Sequence, residues 1–171
     1  MKVAEKDARR NLTAKEFIKE LSAIQTDTEI EKVKRFFTDI DKDTRFLGVR
    51  MSSLFATAKK FMDMPLNEIE KLLESPYYEL RMGAVCMMDF QARNKKTSAT
   101  RRKELYDLYI RRHDRINNWD MVDRSAPYVI GGYLADKPRK VLYKLAKSKN
   151  IWERRTAIVS TYYFIRQNEL D

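Results

Sequence analysis

YELRMGA, residues 78–84, returns in altered form as WERRTAI at residues 152–158. Each begins with an aromatic residue followed by an acid, then places an arginine three positions after the aromatic and a small residue two further on. Trp119-Asp120 falls between them, so three aromatic-acid pairs begin at 78, 119 and 152. The spacings of 41 and 33 residues are near the period of two-helix solenoid repeats. Each pair lies near the start of the second helix of its repeat. The expected fold is therefore an all-α helical solenoid, whose curved inner face suits a long partner.

The rest of the chain agrees with helix throughout. Only 4 Gly and 4 Pro interrupt it, and apolar residues recur at helical spacing almost everywhere. Thr13-Ala-Lys-Glu16 has the form of a capping box, after which Phe17, Ile18, Leu21 and Ile24 supply an apolar stripe. Further helices are expected at about 28–38 (Ile30, Val33, Phe36 and Phe37 inward), 49–61, and from Pro65 with Leu66, Ile69, Leu72 and Leu73. Others follow at about 76–93, 98–114, 118–134, 138–148 and 150–167. Pro127 falls inside one of these, so that helix either kinks or stops and restarts near Tyr128. KKTSAT, residues 95–100, is the most linker-like segment but too short to divide the chain, and residues 1–171 are read as a single helical-repeat domain.

With 35 Lys and Arg against 25 Asp and Glu, the net charge of +10 favours a polyanionic partner. Basic side chains at phosphates release condensed counterions and bind without regard to base sequence. A membrane is not expected as partner, because no stretch approaches the roughly 20 consecutive apolar residues of a spanning helix. MKVAEKDARR lacks the apolar core of a signal peptide. Cys86 is alone in an apolar run and reads as a small buried hydrophobe. His113 is also alone, on the charged segment RRHDR. One His and one Cys cannot assemble a zinc site of the usual kind, and they argue against a Cys-His or Ser-His catalytic pair. The simplest location is cytoplasmic, at the nucleoid if the cell is bacterial.

NNWDMVDRSAP, residues 117–127, runs against this basic balance. Asn117 or Asn118 can cap a helix, and Asp120 and Asp123 then lie in its first turn, where the macrodipole favours an anion. Trp119 and Asp123, four residues apart, share one helix face. If that face is core, Asp123 is a buried carboxylate in need of partners. If it lines a groove, it sets a negative charge on a phosphate-binding surface. A packing role stays open too, with Trp119 between repeats and Asp123 bonded to an arginine such as Arg155.

WDMVDRSAP, with the later IWERRTAI and the earlier FLGVR, resembles the DNA alkylation repair glycosylases built from HEAT-like helical repeats. The resemblance implies a right-handed superhelical solenoid of HEAT-like two-helix repeats with a concave basic face. It also implies hydrolysis of the N-glycosidic bond of N3- or N7-alkylated purines in double-stranded DNA, with no metal or other cofactor, by a monomer. Carried over residue by residue, Asp123 is the catalytic carboxylate, Trp119 the groove aromatic at the lesion-bearing nucleotide, and Arg155 the arginine that holds the DNA backbone near it. Arg50, after FLGV, and Arg81, the repeat equivalent of Arg155, are expected at phosphates. Arg154, beside Arg155, is a further expected DNA contact, although the W-x-x-R spacing selects Arg155 as the site arginine. For Arg50 and Arg81 a solvated or salt-bridged role stays open.

The chemistry suits these residue types. An N-alkylated purine is already cationic and leaves readily, so the demand is to stabilise an oxocarbenium-like sugar and place a water. A carboxylate serves both needs. The family's chain ordinarily continues for further helices past the point where this one ends, at FIRQNELD, so weaker DNA binding than in a longer relative, or association through that end, is expected. The alternative function is a non-catalytic helical-repeat scaffold that binds nucleic acid or protein through the same face.

Overall fold

The computed structural model describes residues 11–35, 37 and 43–168. Among them the regular elements are all helical; the sole extended pairing is an isolated parallel bridge between Arg45 and Tyr77. The chain divides into two units, residues 1–87 and 88–171.

The first unit begins with α1 (Ala14–Ser22), α2 (Asp27–Lys34), α3 (Met51–Lys60) and α4 (Leu66–Leu73), followed by α5 (Tyr78–Arg93), whose residues up to Met87 belong here. Thr13 caps α1 by accepting from the Glu16 N–H at 3.3 Å, as the capping sequence predicts. The buried stripe of α1 is narrower than the periodicity implied. Phe17 and Leu21 are fully buried, whereas Ile18 and Ile24 stand 37% and 44% exposed. Phe17 makes an edge contact with Phe61 at 5.4 Å, and its ring covers Gly83, where any Cβ would sit 2.5 Å from Phe17 Cζ. In α4, Ile69, Leu72 and Leu73 are fully buried, each contributing about 1.5–3 kcal/mol relative to exposure. The helix expected at 28–38 is α2, shorter and displaced toward its N-terminus, and it buries no side chain completely. Thr26 caps it, accepting from the Glu29 N–H. Phe36 and Thr38 lie outside the described residues.

The FLGVR stretch is held by a buried acid. Glu79, on the first turn of α5, accepts from the N–H groups of Leu47 and Gly48, both at 2.9 Å, and of Val49 at 3.5 Å. These bonds satisfy a carboxylate that would otherwise be very costly to bury. Gly48 adopts φ +79°, and a Cβ there would meet the Thr26 carbonyl at 2.3 Å, so only glycine fits.

The second unit holds the end of α5, then α6 (Ala99–Arg111), a 3₁₀ turn (His113–Arg115), α7 (Trp119–Ala126), a π-helical stretch (Pro127–Gly131), α8 (Gly132–Leu134), α9 (Lys140–Ala146) and α10 (Ile151–Arg166). Pro127 neither stops the rod nor splits it: residues 119–134 are helical without a break. Proline has no N–H to give to the turn before it, and the backbone widens into a π turn in which the Gly132 N–H reaches the Pro127 carbonyl. Gly131 then lets α10 approach closely, since a Cβ there would lie 2.3 Å from the Ser160 carbonyl.

The internal repeat has a physical basis, in a different register from the one read off the sequence. Ser75 Oγ accepts from the Tyr77 N–H at 3.1 Å, and Arg81 Nη1 donates to the carbonyls of Ser75 and Pro76, both at 2.9 Å. Ser148 Oγ accepts from the Asn150 N–H at 3.0 Å, and Arg154 Nη1 donates to the carbonyls of Ser148 and Lys149 at 2.8 and 2.9 Å. By this bracket Arg81 is the counterpart of Arg154, one position away from the match with Arg155 that the aromatic spacing suggested.

Candidate functional site

The site is built on α7 and α10, both in the second unit. Asn118 is the N-cap residue of α7 in extended conformation, φ −145° and ψ 153°. Its side chain does not cap the helix but donates from Nδ2 to Asp120 Oδ1 at 2.7 Å, and that oxygen also accepts from the Met121 N–H at 2.7 Å. Asp120 therefore stabilises the helix start, as its place in the first turn suggests. At the other helix, Asn150 Oδ1 accepts from the Trp152 N–H at 2.8 Å and fixes the entry of α10.

From these two starts the key side chains meet. Arg155 Nε donates to Asp123 Oδ1 and Arg155 Nη2 to Asp123 Oδ2, each at 2.7 Å. The pair is open to water, with side-chain exposures of 40% for Arg155 and 37% for Asp123. Bonding to Asp123 raises the Arg155 pKa further above its already high value. Arg155 Nη1 takes no part in this contact. Trp119 lies one turn before Asp123 on the same face and is 44% exposed, so the indole is not packed into a core. An indole, a carboxylate and a guanidinium thus stand together on an accessible surface.

Behind the pair lies a buried polar group that the sequence did not disclose. Thr156 Oγ1 bonds to His113 Nε2 at 2.8 Å and to Tyr109 Oη at 3.1 Å. Burial pushes the Tyr109 phenol up to about 12, and the charge of Asp123 adds to the same direction. Burial lowers the His113 pKa, so the neutral ring is favoured. His113, read as part of a charged segment, is in fact 4% exposed. The available signal was its place four residues after Tyr109, which brings both rings to one side of the chain.

The other expected residues are placed as follows. Arg155, and not Arg154, meets Asp123; Arg154 is exposed and braces the loop before α10. Arg50, in the first unit, precedes α3 with its side chain 69% exposed, 3.8 Å from Glu29. Arg81 requires a correction: it is 1% exposed, its guanidinium donating to Ser75 and Pro76 and to Thr44 Oγ1 at 3.2 Å. A side chain so enclosed binds its own loop and is not presented to a phosphate. Among the described residues no group of three or more His, Cys, Asp and Glu could hold a metal ion. Nor is any described helix long and apolar enough to cross a membrane.

A family model described as DNA alkylation repair enzyme matches residues 17–171, which include every residue of this site. The chain belongs to the DNA alkylation repair enzyme family. Comparison with curated proteins and with solved structures gave no match. In this DNA alkylation repair enzyme family member, membership points to DNA as the substrate, and the Trp119, Asp123 and Arg155 side chains are accessible.

Proposed function

We propose that the protein is a DNA glycosylase that hydrolyses the N-glycosidic bond of cationic N3- or N7-alkylated purines in double-stranded DNA, without a cofactor. The observation that carries this reading is the exposed Asp123–Arg155 pair one turn from an exposed Trp119, in a basic chain of the DNA alkylation repair family.

In this mechanism the glycosidic bond breaks with its electron pair passing to the cationic purine, which leaves neutral. The sugar becomes oxocarbenium-like, and Asp123 opposes its positive charge at close range. A water on the same oxygens attacks the sugar carbon and passes its proton to the carboxylate. Trp119 offers a π face to the cationic base or sugar, an interaction of about 0.5–2 kcal/mol that a neutral purine gains less from. Arg155 holds Asp123 in place through two nitrogens and keeps Nη1 for a backbone phosphate. Arg50 and Arg154 serve as further phosphate contacts.

The HEAT-like repeat reading goes with this function, and the matching brackets at Ser75–Arg81 and Ser148–Arg154 support it. The proposed setting is inside the cell, where genomic DNA is found. The protein acts as a monomer. The alternative, a scaffold without catalysis, draws on the fact that both Asp123 oxygens are already bonded to Arg155. Duplex DNA containing 7-methylguanine separates the two: the wild type releases free base and Asp123→Asn does not. Release at background level by both proteins, or at equal rates, overturns the enzyme.

A further inference from the structure

A second arginine of the same unit is tethered to a carboxylate in a manner that leaves its working edge free. Asp89 is fully buried, and Arg93 bonds to it through Nε alone, at 2.7 Å to each carboxylate oxygen. Arg124 Nη2 approaches the same carboxylate at 3.2 Å, so two guanidiniums share one negative charge. The Arg93 guanidinium carbon lies over the ring of Tyr128, 3.7 Å from its centroid. Unlike Arg155, which grips its carboxylate with two nitrogens, Arg93 spends only Nε on Asp89. Here the fork is unused: Nη1 and Nη2 have no hydrogen-bond partner among the described residues, and the side chain is 40% exposed.

Tyr128 follows Asp123 by five residues on one unbroken helical run, about 7 Å along the axis and about 140° around it, so the link between them runs through α10. Arg155 and Arg166 are eleven residues apart on α10, three turns, and therefore share a face. One end of that seam joins Arg155 to Asp123; the other brings Arg166 Nη1 to Tyr128 Oη at 3.5 Å.

We infer that Arg93, held by Asp89 and Tyr128, is a backbone-phosphate site for duplex DNA, placed along the same seam as the Asp123 pair. The inference rests on the proposed DNA substrate, but not on catalysis. A guanidinium held over a ring and tied at Nε by a carboxylate loses little freedom when a phosphate takes the fork. The net positive charge of the cluster adds attraction that falls with salt.

The test is binding of undamaged duplex DNA between about 50 and 200 mM salt. Loss of one phosphate contact in Arg93→Gln is expected to lower the slope of log K against log salt by about 0.9 and to weaken binding several-fold at the low-salt end. Arg93→Lys, which keeps the charge and loses the fork, retains the slope with weaker binding. Tyr128→Leu leaves the Asp89 pairing intact and weakens binding if the ring orients the guanidinium. A folded Arg93→Gln protein with wild-type slope and affinity overturns the inference; should that variant fail to fold, wild-type affinity in Tyr128→Leu overturns it equally. Absence of salt-dependent binding by the wild type instead overturns the DNA substrate itself.

Discussion

Arg155 grips Asp123 side-on, with Nε and Nη2 each 2.7 Å from a different carboxylate oxygen, while Nη1 stays outside the pair. The carboxylate is held by a donor that is itself accessible, so pairing fixes its position without sealing it from water. Asp123→Asn keeps the size and removes the charge. Release of 7-methylguanine from duplex DNA is expected to fall by at least about a hundredfold, with the melting temperature changed little, because the pair is substantially exposed. Arg155→Lys keeps the charge and loses the two-nitrogen grip, and an intermediate rate is expected.

Trp119 should separate stability from activity. Its indole is 44% exposed at the start of α7, and Trp119→Ala is expected to change unfolding free energy by no more than about 0.5 kcal/mol in urea titration. Base release should drop by about 2- to 30-fold if the ring faces a cation, the equivalent of its interaction energy. Equal loss of stability and activity would assign the ring to packing.

Arg81 and Arg154 make the same bracket with opposite exposure, which yields a paired prediction. Arg81→Ala empties the enclosed site of that side chain and removes the charged donor from its part-buried contacts to the Ser75 and Pro76 carbonyls, and should cost about 1.5–3 kcal/mol of stability. Arg154→Ala exposes its carbonyls to water that can replace the donor, and should cost less than about 1 kcal/mol. Chemical denaturation of the two variants checks the order.

Gly131 is a packing requirement of the second unit. Gly131→Ala drives a methyl to 2.3 Å from the Ser160 carbonyl, a backbone atom that can move only with α10. A loss of about 1–3 kcal/mol is expected from overpacking. Because α10 carries Arg155, base release should fall along with the melting temperature.

His113 gives a pH dependence of definite sign. Burial lowers its folded pKa below the unfolded value near 6.5, so the unfolded chain binds the proton more readily. Its contribution to stability is complete above that value and declines as pH falls through it toward the folded pKa; the weaker pull of Glu153 and Asp114 opposes but does not reverse this. Comparing melting temperatures at pH 7.5 and 5.5, the wild type should lose more than His113→Gln, which cannot titrate.

Helix positions were legible in the sequence because capping residues and apolar spacing act within a few residues of each other: Thr13, Pro65 and Asn150 mark starts that the structure retains. The WDMVD stretch likewise placed Trp119 and Asp123 on one face, since that follows from helical geometry alone. What these residues meet was a different matter. That Arg155 reaches Asp123, that Arg81 is enclosed by its own loop, that His113 is buried against Thr156, and that Arg93 is tethered to Asp89 over Tyr128 each depend on how helices pack across dozens of residues. Local spacing carries no record of depth or of partners so far away, so exposure and pairing were decided only when the helices came together.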